Sequence, residues 1–146
     1  MSRYAGVLAF HRSRVVLVHE EYPTWGGPFW NVPSGRVEDG ESPAEGAARE
    51  LEEETGLVVA PDRLTLVSTV RTTSDGGESL AWNHTVEVAS SRLVVDDPDK
   101  IIREARWFSR AEAIELLDRL PYRLLAEPAV AYLRGEGARR HWTYDL

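Results

Sequence analysis

At 146 residues, 42% hydrophobic and 28% charged, the chain has the size and composition of one globular domain and is too apolar to be disordered throughout. It contains no cysteine, which excludes disulfides, a thiolate zinc site and a cysteine nucleophile. Its 24 acidic residues against 17 basic ones leave a formal charge of −7, which opposes stable binding to nucleic acid.

Tyr4 to Phe10 and Val15 to Glu20 are β-prone runs on either side of the polar His11 to Arg14, the pattern of a hairpin. Tyr22 to Gly35, rich in Pro, Gly and Trp, predicts a long loop with a short strand around Phe29 to Val32. Ser42 suits an N-cap, Pro43 the first helical position, and Glu45 completes a capping box, while Gly56 suits a left-handed C-terminal cap. A helix is therefore expected from about Pro43 to Thr55. Leu64 to Thr72 and Trp82 to Ala89 read as strands, separated by a turn at Asp75-Gly76-Gly77. Ser91 to Val95 is expected to continue or pair with the sheet, Asp96 to Lys100 to be a polar loop, and Glu104 to Phe108 a short strand. Ser109 and Glu112 form a second capping box, for a helix through about Arg119. A third helix is expected from Leu124 to Leu133 despite Pro128, and Gly135 to Leu146 carries no readable signal.

On the first helix, Ala44, Ala47, Ala48, Leu51 and Thr55 fall within about 100° of arc and predict a narrow, small-residue buried stripe. Glu50, Glu53 and Glu54 project from one flank of it, at the spacings that bring side chains together. At about 5–6 Å and an effective dielectric near 20, each such pair repels by roughly 3 kcal/mol before screening and relaxation. On the helix wheel Arg49 lies close to Glu45 and Glu53 and supplies one positive charge. Such a flank is either a solvated acidic face or a site for a hard divalent cation, which takes oxygen ligands.

The surrounding spacing separates these alternatives. Gly35, then Glu41, then the run Arg49-Glu50-Leu51-Glu52-Glu53-Glu54-Thr55-Gly56-Leu57 resembles the complete Nudix box, G-x5-E-x7-R-E-U-x-E-E-x-G-U with U aliphatic, at every specified position. Trp30-Asn31-Val32-Pro33 upstream and Glu104-Ala105-Arg106-Trp107-Phe108 downstream look like the family's flanks. Ser34 departs from it, standing where many relatives have a second glycine. The resemblance implies an α/β fold, an α/β/α sandwich with a mixed central β-sheet in which the box forms loop, helix and loop. It also implies hydrolysis of a diphosphate bond in a nucleoside diphosphate linked to another group, with Mg²⁺ or Mn²⁺ as cofactor and a small-molecule nucleotide as substrate; a homodimer is the assembly it suggests. By match to the motif, Glu50, Glu53 and Glu54 are metal-binding carboxylates, Glu50 is also a candidate base, Arg49 orients Glu50, and Glu41 supports the metal shell. The base remains open among Glu50, Glu53 and two acids outside the box, Glu87 and Glu104, each of these two as readily an ordinary surface residue.

Trp25, Phe29, Trp30 and Trp82 either stack on a nucleobase or pack in the core. Tyr22 and the loop to Phe29 are the expected wall of the substrate pocket. Arg71, Arg92 and Arg106 either contact phosphate or are solvated, and the four histidines show no metal-ligand spacing. A non-catalytic binding module is the competing function, though such a module has no need for three mutually repelling carboxylates. The N-terminus lacks a secretory leader and no run approaches the roughly 20 apolar residues of a membrane span, so one cytoplasmic domain without membrane contact is expected.

Overall fold

A computed structural model describes residues 1–146. Its strands are β1 (Ser2–His11), β2 (Arg14–Tyr22), β3 (Gly27–Asn31), β4 (Ser34–Arg36), β5 (Thr65–Ser74), β6 (Gly77–Glu87), β7 (Ile102–Phe108) and β8 (His141–Asp145). The helices are α1 (Pro43–Thr55), α2 (Arg110–Leu117) and α3 (Arg123–Leu133).

The opening hairpin closes through Arg12 and Ser13, whose φ angles of 49° and 70° match the two-residue turn that follows strand twist. Pairing between β1 and β2 is confined to the turn end, at Phe10 with Val15 and His11 with Arg14. Beyond it the strands part. The freed edge of β1 pairs with β4 and that of β2 with β3, so the chain from Gly27 to Arg36 bridges the opening. The other edge of β1 carries parallel β6, then antiparallel β5 and parallel β8, while β7 covers the other edge of β2.

Alternation along the strands sets the layers. Ala5, Val7 and Ala9 of β1, with Val16 of β2, pack on Ala47, Ala48 and Leu51 of α1. Leu8 and Phe10, with Val15 and Leu17, point the other way onto Ala113, Leu117, Ala126 and Val130 of α2 and α3. Both faces are covered, which explains why these strands read as continuous apolar runs. This is the expected α/β/α sandwich around a mixed sheet.

Helix α1 has the expected bounds. Ser42 Oγ accepts the Glu45 N–H at 3.1 Å, Glu45 Oε1 accepts the Ser42 N–H at 2.9 Å, and Gly56 closes the end at φ 78°. Ala44 is only half-buried, so the stripe begins a turn later than its spacing suggests.

Other segments differ from expectation. Ser34 and Gly35, the end of the expected loop, lie in strand β4, held by β1. Ser91 to Val95 forms no strand: the Val94 N–H bonds Thr55 O at 2.8 Å and the Asp96 N–H bonds Glu53 O at 2.9 Å, satisfying carbonyls at the C-terminal end of α1. Helix α2 ends at Leu117 and tightens, with Arg119 N–H on Leu116 O at 3.2 Å. Pro128 is buried inside α3, where it forgoes one bond to the Leu124 carbonyl.

Candidate active site

The parting of β1 and β2 opens a cavity of about 800 Å³. Residues 34–36 and α1 contribute acidic groups to its lining, and β5, β6 and α3 contribute uncharged ones. Glu50, Glu53 and Glu54 all line it, as do Glu20 from β2 and Asp97 from the loop that caps α1. Turn geometry fixes each one. The acids of α1 share one flank of a helix whose opposite side is held by Ala47 and Leu51, and Glu20 lies in phase with buried Val16 and Val18.

Two backbone details seat the carboxylates. A Cβ at Gly35 would stand 2.3 Å from the Glu50 carboxyl carbon, so only glycine lets that group lie against β4. Ser34 donates its N–H to Glu54 Oε1 at 3.0 Å, and its φ is not left-handed, which is why serine is accommodated where relatives often have glycine.

Arg49 is the hinge of the polar network. Its Nε and Nη2 donate to Glu41 at 2.8 and 3.0 Å, Nη1 donates to Glu50 Oε1 at 3.0 Å, and Nη2 also reaches Arg36 O at 2.9 Å. Glu53 and Glu38 lie 3.5 and 3.8 Å from Nη1. The helix-wheel neighbour Glu45 is absent from this set because it is folded back into the capping box. Glu41 does not line the cavity; it binds Arg49, whose hydrogen bonds, with its charge, hold the Glu41 carboxyl below the usual range.

The deeper carboxyls are shifted the other way. Glu20 is 1% exposed, and burial pushes its pKa up to about 8 against a weak bond from Asn31 Nδ2 at 3.4 Å. Glu54 is 5% exposed; burial raises it most, then the charges of Glu20 and Glu50, with the Ser34 N–H opposing. Burial also raises Glu50 and Glu53, against the pull of Arg49. Desolvated acids that face one another and share a single cation are an environment suited to a hard divalent ion. The oxygen donors fit a hard ion such as Mg²⁺ or Mn²⁺ in type, and Glu50, Glu53 and Glu54, with Glu20, are the carboxylates on the cavity that would turn to it. As they stand, no three acidic or histidine side chains are gathered closely enough to hold an ion together.

Tyr22 and Trp25 line the cavity and meet with their rings tilted by 38°, 4.5 Å between centroids, whereas Phe29 and Trp30 do not line it. Asn31 faces the cavity, so its neighbour Trp30 points away, stacking on His19 at 4.7 Å and meeting Phe108 edge-on at 4.9 Å. Phe29 packs against the α2–α3 core, and Trp82 is likewise outside the cavity. Glu87 sits at the hairpin end, accepting the Arg12 N–H at 3.3 Å, and Glu104 pairs with Arg106 on the surface of β7. Neither lines the cavity, nor do Arg71, Arg92 and Arg106. Glu20, Glu38, Asp97 and Asp99 also line the cavity and have no motif to mark them; for Glu20 the available signal is an acid in phase with the apolar positions of a strand.

A model of the NUDIX domain matches residues 2–128. Among curated relatives, an octanoyltransferase of Myxococcus xanthus is 41% identical over 79% of this chain and 31% of its own length. An 8-oxo-dGTP diphosphatase of Proteus vulgaris is 36% identical over 45% of this chain and 57% of its own. The chain thus spans less than two thirds of the length of either relative. A NUDIX hydrolase from Nitrosomonas europaea superposes with a TM-score of 0.74 over 95% of this chain and 91% of its own at 23% identity, a likeness of fold. No helix here is long and apolar enough to cross a membrane. With the domain model matching from β1 into α3 and the complete box seated on α1, the chain belongs to the Nudix family.

Proposed function

We propose that this chain hydrolyses a diphosphate bond in a nucleotide or nucleotide derivative, with Mg²⁺ or Mn²⁺ held by Glu50, Glu53 and Glu54. The observation that carries this is that those carboxylates and Glu20 line one cavity large enough for a nucleotide. When bound, such an ion supplies positive charge to the phosphate oxygens and makes an attacking water easier to deprotonate. Arg49, braced by Glu41, holds Glu50 in place, and Gly35 leaves room for it. Glu50 then accepts a proton from the attacking water while the bridging P–O bond breaks, leaving two phosphorylated products. Tyr22 and Trp25 offer flat surfaces to a base. The reaction named for the Myxococcus relative does not enter, because the shared segment is 31% of that protein.

The test is a panel of nucleoside triphosphates, nucleotide sugars, dinucleoside polyphosphates and dinucleotide cofactors, incubated with Mg²⁺ or excess chelator, with products identified. Hydrolysis that needs the ion is expected. Saturable nucleotide binding with no turnover of any compound would make the chain a binding module instead.

A further inference from the structure

A second pocket, of about 540 Å³, lies at the turn end of the β1–β2 hairpin, where the turn at Pro61–Arg63, the start of α2 and the end of α3 come together. It shares no lining residue with the acid-lined cavity. Buried Phe10 and Val86 give it apolar walls, and its charged lining is three arginines, Arg12, Arg63 and Arg110, with one carboxylate, Glu87. That is a surplus of positive charge in a chain whose formal total is −7.

The guanidinium groups have neutral partners. Arg63 Nη2 donates to Glu87 O at 3.1 Å, Arg110 Nη1 donates to Leu133 O at 3.2 Å, and the Arg110 guanidinium lies 4.7 Å from the centre of the Phe10 ring. None of the three arginines is in an ion pair, and Glu87 neutralises none of them: its Oε1 accepts the Arg12 backbone N–H at 3.3 Å. A main-chain carbonyl or an aromatic face orients a guanidinium without cancelling its charge, and takes up only part of its set of N–H donors. Oriented arginines with charge and donors to spare suit the oxygens of a phosphate, which they bind through paired, charge-assisted hydrogen bonds. The hydroxyl groups of Ser13 and Thr65 add neutral donors to the lining.

We propose that this pocket is a second binding site, for a phosphate group taken as the free anion or as a monoester, separate from the acid-lined cavity. It does not depend on the reaction proposed above, so its test is binding rather than turnover.

Inorganic phosphate is titrated into the metal-free full chain at low ionic strength and followed by NMR shifts of backbone amides and arginine Nε–H groups. Saturable shifts are expected at Arg12, Ser13, Arg63, Thr65, Glu87 and Arg110, with a Kd of about 1 mM or below that rises several-fold at about 0.15 M salt. R63Q and R110Q should each weaken binding about tenfold. R119Q, which removes the same charge from an exposed position lining neither pocket, should leave it within about twofold. Adenosine monophosphate as a second probe separates the two sources: tighter binding than phosphate assigns the pocket to a monoester, equal or weaker binding to the free anion. Shifts that do not saturate, or that map to the acid-lined cavity alone, overturn the proposal. So does wild-type affinity in R63Q and R110Q, or equal weakening by R119Q, which would reduce the effect to net charge. The wild-type shift map decides the matter even if a variant fails to fold.

Discussion

Ala47, Ala48 and Leu51 lie closed against the sheet on one side of α1, whereas Glu50, Glu53 and Glu54, a single step of rotation away, converge on the cavity. The first side stabilises the fold by removing apolar surface from water. The second does the reverse, since Glu50 and Glu54 are desolvated next to each other and beside Glu20, and their carboxyls are held above the usual range. Glu50 and Leu51 are adjacent in sequence and opposite in consequence. Strain of this kind, concentrated on one flank of one helix, is the mark of a site rather than of a scaffold.

Removing a packing contact should separate the two sides most sharply. Leu51 is fully buried, and Leu51→Ala is expected to destabilise the protein by about 2–5 kcal/mol through lost burial and a residual cavity. Denaturant melts give the value, and activity should fall only in step with the folded fraction. Glu53→Gln should do the opposite, losing turnover while the melt is level or slightly raised.

Gly35→Ala tests the seat of Glu50 from outside the helix. A methyl group 2.3 Å from the carboxyl carbon must displace it, and misplacement by about an ångström can lower a rate on the order of 10²-fold. The loss should fall on kcat, with folded protein still recovered. Wild-type kcat in this variant would show that Glu50 is not held where it acts.

The protonation state of the acid flank gives a smaller, pH-dependent signal. Glu20 and Glu54 have raised pKa values when folded, so the native state binds more protons than the unfolded one above about pH 4.5. Their contribution is therefore full below the unfolded pKa and is lost as pH rises through the folded one, about 8 for Glu20. His84 works oppositely, because burial lowers its pKa and the stability it lends is complete only above the unfolded value of about 6.5. Between pH 7 and 8.5 the carboxyls decide the slope. Melting temperature in chelator should fall across that interval, and Mg²⁺ should flatten the fall; a rise in chelator would contradict the burial of these acids.

Smallest of all should be Glu41→Gln, measured at saturating metal. Glu41 touches Arg49 rather than the cavity, so its loss should reduce turnover less than Glu53→Gln does. Equal damage would place Glu41 among the ion's own ligands.

How much of this was legible in sequence depends on how local each cause is. Both caps of α1 are encoded within a few residues, so its bounds and its acid flank are readable. Strand β8 pairs only with distant β5, and β4 is three residues held by β1, so neither has a local pattern to detect. Trp30 is a large aromatic in the expected loop, yet strand alternation gives the cavity to Asn31 instead. Glu20 closes a run of buried residues, where its phase rather than its type carries the information.

Whether Glu50 serves the reaction or the fold is decided most directly by one paired measurement on Glu50→Gln. Hydrolysis of the best substrate and melting curves, with and without Mg²⁺, are compared with wild type. Turnover should drop by about 10²–10⁴, the melt without Mg²⁺ should stay level or rise, and the stabilisation by Mg²⁺ should shrink as its binding to the folded state weakens. Turnover within about threefold of wild type, or a variant that is inactive because it is unfolded, would contradict the role given to Glu50.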